Sequence, residues 1–102
     1  MDRKNIKKPL NKFVKQIVKL ANPEKIILYG SFARGNASQW SDIDLAIIGQ
    51  TRLNFLEKIA DSIDSEFSFD LRGYTKNQFE KISPLSIYSE IKREGIVLYS
   101  KN

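Results

Sequence analysis

The 102-residue chain contains no cysteine and no histidine. The first absence excludes disulfides and a cysteine nucleophile, the second excludes a Ser-His-Asp triad, and the two together exclude Cys/His zinc sites. Acid, base or metal chemistry therefore falls to carboxylates. No apolar run reaches the roughly 18 residues that a membrane-spanning helix needs, and the lysine-rich start lacks the apolar core of a signal peptide. The expectation is a cytoplasmic protein with no membrane partner. Internal repeats, linkers and low-complexity tracts are missing too. With 41% hydrophobic residues, residues 1–102 are expected to form a single domain around one modest core.

What the chain has in surplus is positive charge, unevenly spread. The net charge is +5, yet residues 1–25 carry eight Lys or Arg against two acids, and residues 26–102 carry nine against ten. On a helix, Lys4, Lys8, Lys12, Lys15 and Lys19 fall on one side, with Ile6, Leu10, Phe13, Ile17 and Leu20 on the other. That is an amphipathic first helix, expected from Pro9 to Ala21 and stopped by Asn22-Pro23. Its lysine side reads as a solvated face; RNA, an anionic nucleotide or an acidic partner are the ligands it would suit.

Further along, Lys25–Tyr29 reads as a buried strand, followed by a short helical turn around Phe32 to Arg34 and a second strand from Asp42 to Ile48. Leu53, Leu56, Ile59, Ala60 and Ile63 predict a helix over 52–63. Phe67, Phe69 and Leu71 alternate with polar residues and predict a strand over 66–74, with Ser68, Asp70 and Arg72 opposite the aromatics. Helices are expected over 75–82 and from a Ser83-Pro84 cap to Glu94, then a last strand over 96–99. The order α-β-α-β-α-β-α-α-β implies a two-layer α/β (α+β) fold with helices packed on one mixed sheet.

The chemistry concentrates in "GSFARGNASQWSDIDLAII", residues 30–48. It opens like a Walker-type phosphate loop, but Asn36 and Ala37 follow Gly35 where that motif has Lys and Ser/Thr, so it cannot work in that way. Asp42 and Asp44, two apart at the start of a strand, leave the same face about 7 Å apart at the backbone. An isolated D-x-D is ordinarily a loop cap and a solvent-facing residue. Here Asp44 stands between Ile43 and Leu45 in an apolar strand, where an uncompensated charge is costly, and a hard cation such as Mg²⁺ is the natural compensation. Asp70, on the polar face of the next strand, is the candidate third ligand of a two-metal site.

If Lys25–Tyr29 lies antiparallel to the strand bearing the aspartates, Gly30 and Ser31 end beside them. Gly30 would then allow close approach of a phosphate, and Ser31 would hydrogen-bond it. Arg34 either reaches a phosphate or makes a surface salt bridge. Trp40 is expected to pack over the loop, with stacking on a base as the alternative. Arg72 and Tyr74, near Asp70, are weaker candidates.

G-S, ten residues, then D-x-D resembles the signature of the minimal nucleotidyltransferases, in the DNA polymerase beta-like superfamily. "FSFDL" is similar to the strand bearing that family's third carboxylate, and "IYSEIKREGIVLYS" to its usual ending. The resemblance implies a nucleotidyltransferase fold and transfer of AMP from ATP to a hydroxyl, with two Mg²⁺ ions. It implies Asp42, Asp44 and Asp70 as catalytic metal ligands and Gly30 and Ser31 as phosphate-binding residues. It further implies a HEPN-type RNase toxin as partner, carrying the acceptor tyrosine, with this chain as antitoxin. Transfer to RNA or to a small molecule such as an antibiotic, and a non-catalytic partner-binding module, are the alternatives.

Overall fold

Two nearly uninterrupted apolar runs form the middle of the sheet in the computed structural model, which describes residues 5–38, 40–49, 52–63 and 67–101. Strand β1 (Lys25–Tyr29) and strand β2 (Ile43–Ile48) pair antiparallel, from Lys25 opposite Ile48 to Tyr29 opposite Asp44. Strand β3 (Phe69–Tyr74) lies parallel to β2, with Ile43 opposite Phe69 and Ile48 opposite Tyr74. Strand β4 (Ile96–Ser100) pairs antiparallel with the other side of β1, giving the order β3-β2-β1-β4. This is the mixed α/β architecture expected from the element order.

Each face of the sheet has its own cluster. On the back, Leu10, Phe13 and Ile17 of helix α1 (Lys7–Ala21) and Leu56 and Ala60 of helix α3 (Asn54–Ile63) pack on Ile26, Leu28, Ile43, Leu45 and Ile47. Phe13 meets Phe69 of β3 edge-on, with ring centroids 4.6 Å apart. Parallel pairing of β2 and β3 requires a crossover, and α3 is its helix. On the front, Ile27, Tyr29, Ala46 and Ile48 pack with Ile91 of helix α5 (Glu90–Glu94). Phe79 of helix α4 (Lys76–Glu80) joins them, as do Tyr74 and Tyr88.

Some boundaries differ from expectation for local reasons. Helix α1 starts two residues earlier, so Pro9 is its third residue; the first-turn N–H groups have no helical acceptor, and proline loses nothing there. Asn22, in the left-handed conformation, closes it by donating to Val18 O at 3.2 Å. Thr75 caps α4 rather than entering it, in a reciprocal box with Gln78. The Ser83-Pro84 cap is not formed. Ser83 Oγ accepts from Leu85 N within a turn, and Ser86 instead caps a 3₁₀ turn, Ile87–Ser89, that leads into the short α5. The expected strand start at Glu66 and the first stripe lysine, Lys4, lie outside the described residues. No helix among the described residues is long and apolar enough to cross a membrane.

Candidate active site

Strand register brings the carboxylates together. Asp44 on β2 lies opposite Asp70 on β3 and opposite Tyr29 on β1. It alternates with Ile43 and Leu45, which belong to the back cluster, so Asp44 points to the front. Asp44 is half-buried; Asp70 and Asp42 are exposed. The Asp44 and Asp70 carboxyl groups lie close enough to share a hydrogen bond when Asp44 is protonated. Burial, the charges of Asp70 and Asp42, that hydrogen bond and the charge of Glu90 together raise Asp44 from 3.8 to about 6.

Asp42 precedes β2 and acts on Asp44 through its charge. Among the described residues no group of three or more His, Cys, Asp or Glu is drawn together as a metal cage. The donor set nevertheless fits a hard dication. It offers carboxylate oxygens alone, and Asp44 faces Asp70 across the strand register with the Asp42 charge close by, so a dication would compensate charges that otherwise repel.

The phosphate-loop candidate sits where the antiparallel pairing was expected to put it. Gly30 follows Tyr29 with φ +77°, and a Cβ there would overlap Asp44 Oδ2 and come within 3.1 Å of Asp44 Cγ. Only glycine can take this backbone so close to the carboxylate. Ser31 opens helix α2 (Ser31–Arg34), in which Arg34 N donates to Gly30 O at 3.1 Å. The N–H groups before Arg34 have no acceptor within the helix. Backbone donors and carboxylates thus border one another.

Arg34 is engaged elsewhere in this conformation: its guanidinium lies 3.0 Å from Glu90 and 3.6 Å from Glu94, tying α2 to α5. Trp40 does not pack over its loop. The loop is closed by polar contacts, Ser38 N to Ser41 Oγ at 2.9 Å and Trp40 N to Ser38 Oγ at 3.2 Å, and the indole is left 84% exposed.

Three neighbours of the site carried no local signal strong enough to single them out. Tyr29 has its hydroxyl pushed far above the ordinary tyrosine value, first by burial and then by the Asp44 charge. Tyr88, in the 3₁₀ turn, lies under the Arg72 guanidinium, 4.3 Å from ring centroid to Cζ. Glu90 both raises Asp44 and holds Arg34. The turn and α5 therefore bridge the Asp70 strand and the Gly30 turn.

In-register carboxylates beside a glycine turn with free backbone donors are the equipment of metal-assisted phosphoryl transfer. Comparison with known proteins makes the class specific. Residues 11–102 match the family described as Polymerase beta, Nucleotidyltransferase, and the chain belongs to that family. It is 30% identical over 78 residues to MJ0604 of Methanocaldococcus jannaschii, a candidate protein adenylyltransferase, covering 74% of this chain and 78% of that one. In structure it is similar to a double Asp-to-Glu mutant of the toxin-antitoxin MntA-HpeT, with a TM-score of 0.66 at 20% identity over 90% of this chain and 73% of that one. It is similar also to a toxin-antitoxin with AMP-PNP, with a TM-score of 0.63 at 19% identity over 89% and 73%. These structural likenesses establish the nucleotidyltransferase fold.

Proposed function

We propose that the chain transfers AMP from ATP to a hydroxyl of a partner protein, with two Mg²⁺ ions held by Asp42, Asp44 and Asp70, and so acts as an antitoxin. The observation that carries this reading is the register that sets Asp44 against Asp70 while Gly30 closes on the same carboxylate. The name of the M. jannaschii relative and the toxin-antitoxin neighbours support a protein acceptor. The resemblance to the minimal nucleotidyltransferases adds the finer proposal of a HEPN-type partner and a tyrosine hydroxyl.

The ions supply the positive charge that neutralises the triphosphate and lowers the pKa of the acceptor hydroxyl. The chain's own groups do the rest. Gly30 and the Ser31 hydroxyl position the phosphates, and the acceptor oxygen bonds to the α-phosphorus as the bond to the bridging oxygen breaks. Pyrophosphate departs, and the acceptor's proton passes to the Asp70 carboxylate. Tyr29, kept protonated, remains a neutral neighbour of Asp44 rather than a third charge.

The test uses ATP labelled on the α-phosphate with Mg²⁺, the purified chain and lysate of the source cell, beside Asp44→Ala. Label on one protein band, absent in the variant, supports the proposal and identifies the acceptor. Label on RNA or on a small molecule overturns the protein acceptor, and no label anywhere overturns transfer itself.

A further inference from the structure

Helix α1 contains five lysines and no acid. Four of them, Lys8, Lys12, Lys15 and Lys19, are exposed and follow one another at spacings of four, three and four residues. At 100° per residue they fall within a narrow stripe, about 16 Å long, pointing straight away from Leu10, Phe13 and Ile17. Neighbours at these spacings repel one another, and Lys7 and Lys8 also oppose the helix dipole at its first turn. Neither strain is relieved locally. Among the described residues none of these lysines has an ion-pair partner, and no acidic side chain meets the helix start, where the neutral Asn5 Oδ1 accepts from Lys7 N at 3.1 Å. A rule broken repeatedly on one surface, without local compensation, is the mark of a surface kept for a ligand.

We propose that this stripe docks a single-stranded nucleic acid by its phosphates. A membrane surface fits poorly, because insertion needs the helix's apolar side and that side is the sheet's back core. A folded acidic protein fits poorly as well, since the stripe offers no aromatic or apolar anchor and lysine is depleted from such interfaces. A phosphate backbone asks only for spaced cations, and a flexible strand can follow a straight line on a convex helix. With no aromatic on the stripe, the contact is independent of sequence.

Geometry separates this surface from the transfer site. The stripe lies behind the sheet, whereas Asp44, Asp70, Glu90 and Glu94 lie on or beside its front, where their charge repels a phosphate backbone. The strand is therefore held on the back while the front stays open.

Fluorescence anisotropy of a labelled oligouridine with the full chain tests this. Four phosphates neutralised give a log–log salt slope of about −3, so affinity falls about 50-fold between roughly 50 and 200 mM salt. The variant Lys8→Gln/Lys12→Gln/Lys15→Gln/Lys19→Gln should lose that slope and bind at least about tenfold more weakly at low salt. It should unfold no more easily than the wild type, because it removes repulsion. The corresponding Lys→Arg variant should retain binding. The proposal is overturned if the wild type does not bind oligouridine at low salt, or if the glutamine variant binds as well. It is equally overturned if phosphatidylcholine–phosphatidylserine vesicles or polyglutamate are bound more tightly than oligouridine.

Discussion

Replacing Asp44 by asparagine should stabilise the metal-free protein at neutral pH while abolishing transfer. Asp44 titrates at about 6 in the folded chain against an ordinary 3.8. The cause is first its burial, then the charges of Asp70 and Asp42. A raised carboxyl value means that the folded state binds the proton more tightly than the unfolded state. The stability it contributes is thus complete below pH 3.8 and lost as pH rises through 6. Above that, the ionised carboxylate opposes folding. The undiscounted shift corresponds to about 3 kcal/mol; because the group is only partly buried, solvent screening brings the expected gain of Asp44→Asn to about 1–2 kcal/mol at pH 7.5.

Thermal unfolding in EDTA should show this as a rise of about 5–10 °C at pH 7.5, shrinking toward zero near pH 4. Mg²⁺ with a non-hydrolysable ATP analogue should reverse the order, raising the wild type and leaving the variant unmoved. An asparagine variant less stable than wild type at pH 7.5, or one that gains equally at both pH values, would refute the electrostatic account of the site.

The remaining predictions concern the same neighbourhood. Gly30→Ala places a Cβ against the Asp44 carboxylate at a positive φ, and should lose about 1–3 kcal/mol in urea unfolding together with most of the label transfer. Protons compete with metal at Asp44, so Mg²⁺ affinity measured by calorimetry should fall as pH drops through about 6, whereas affinity unchanged between pH 5 and pH 7.5 would exclude Asp44 as a ligand. Tyr88→Ala removes the ring beneath Arg72 and should cost about 1–2 kcal/mol, while Tyr88→Phe should remain within about 0.5 kcal/mol of wild type. Equal losses in the two tyrosine variants would assign the effect to the hydroxyl instead.

What could be read in the sequence followed the range over which each signal acts. The sheet's inner strands announced themselves as apolar runs, and β1 ends at Lys25 and Tyr29 as expected. Gly30, Ser31, Asp42 and Asp44 stood out because their spacing is local. The front-face position of Asp70 was legible from alternation with Phe69 and Leu71, but its pairing with Asp44 is a property of the parallel register. Glu90, Tyr88 and Tyr29 were not singled out, since each matters through a contact across the fold. Trp40 was misjudged for a related reason: its serine neighbours close the loop by themselves and leave the ring no packing role. The late helix was misplaced because Ser83, Pro84 and Ser86 offer competing starts, and the hydrogen bonds choose Ser86.

The edge-on contact of Phe13 with Phe69 gives the front of the sheet a gauge on its back. Phe69 and Asp70 are adjacent on β3 and face opposite ways, so whatever seats the aromatic ring in its slot also sets the carboxylate's position along Asp44. A slip of one residue would turn Asp70 into the apolar layer and bring a hydrophobic side chain out in its place. A slip of two would keep the facing but carry the carboxylate about 7 Å along the strand. Alignment at this site is therefore discrete, and the greasy side of the sheet does the indexing. Substitutions in α1 that never approach a nucleotide can in this way throw the reacting groups out of step.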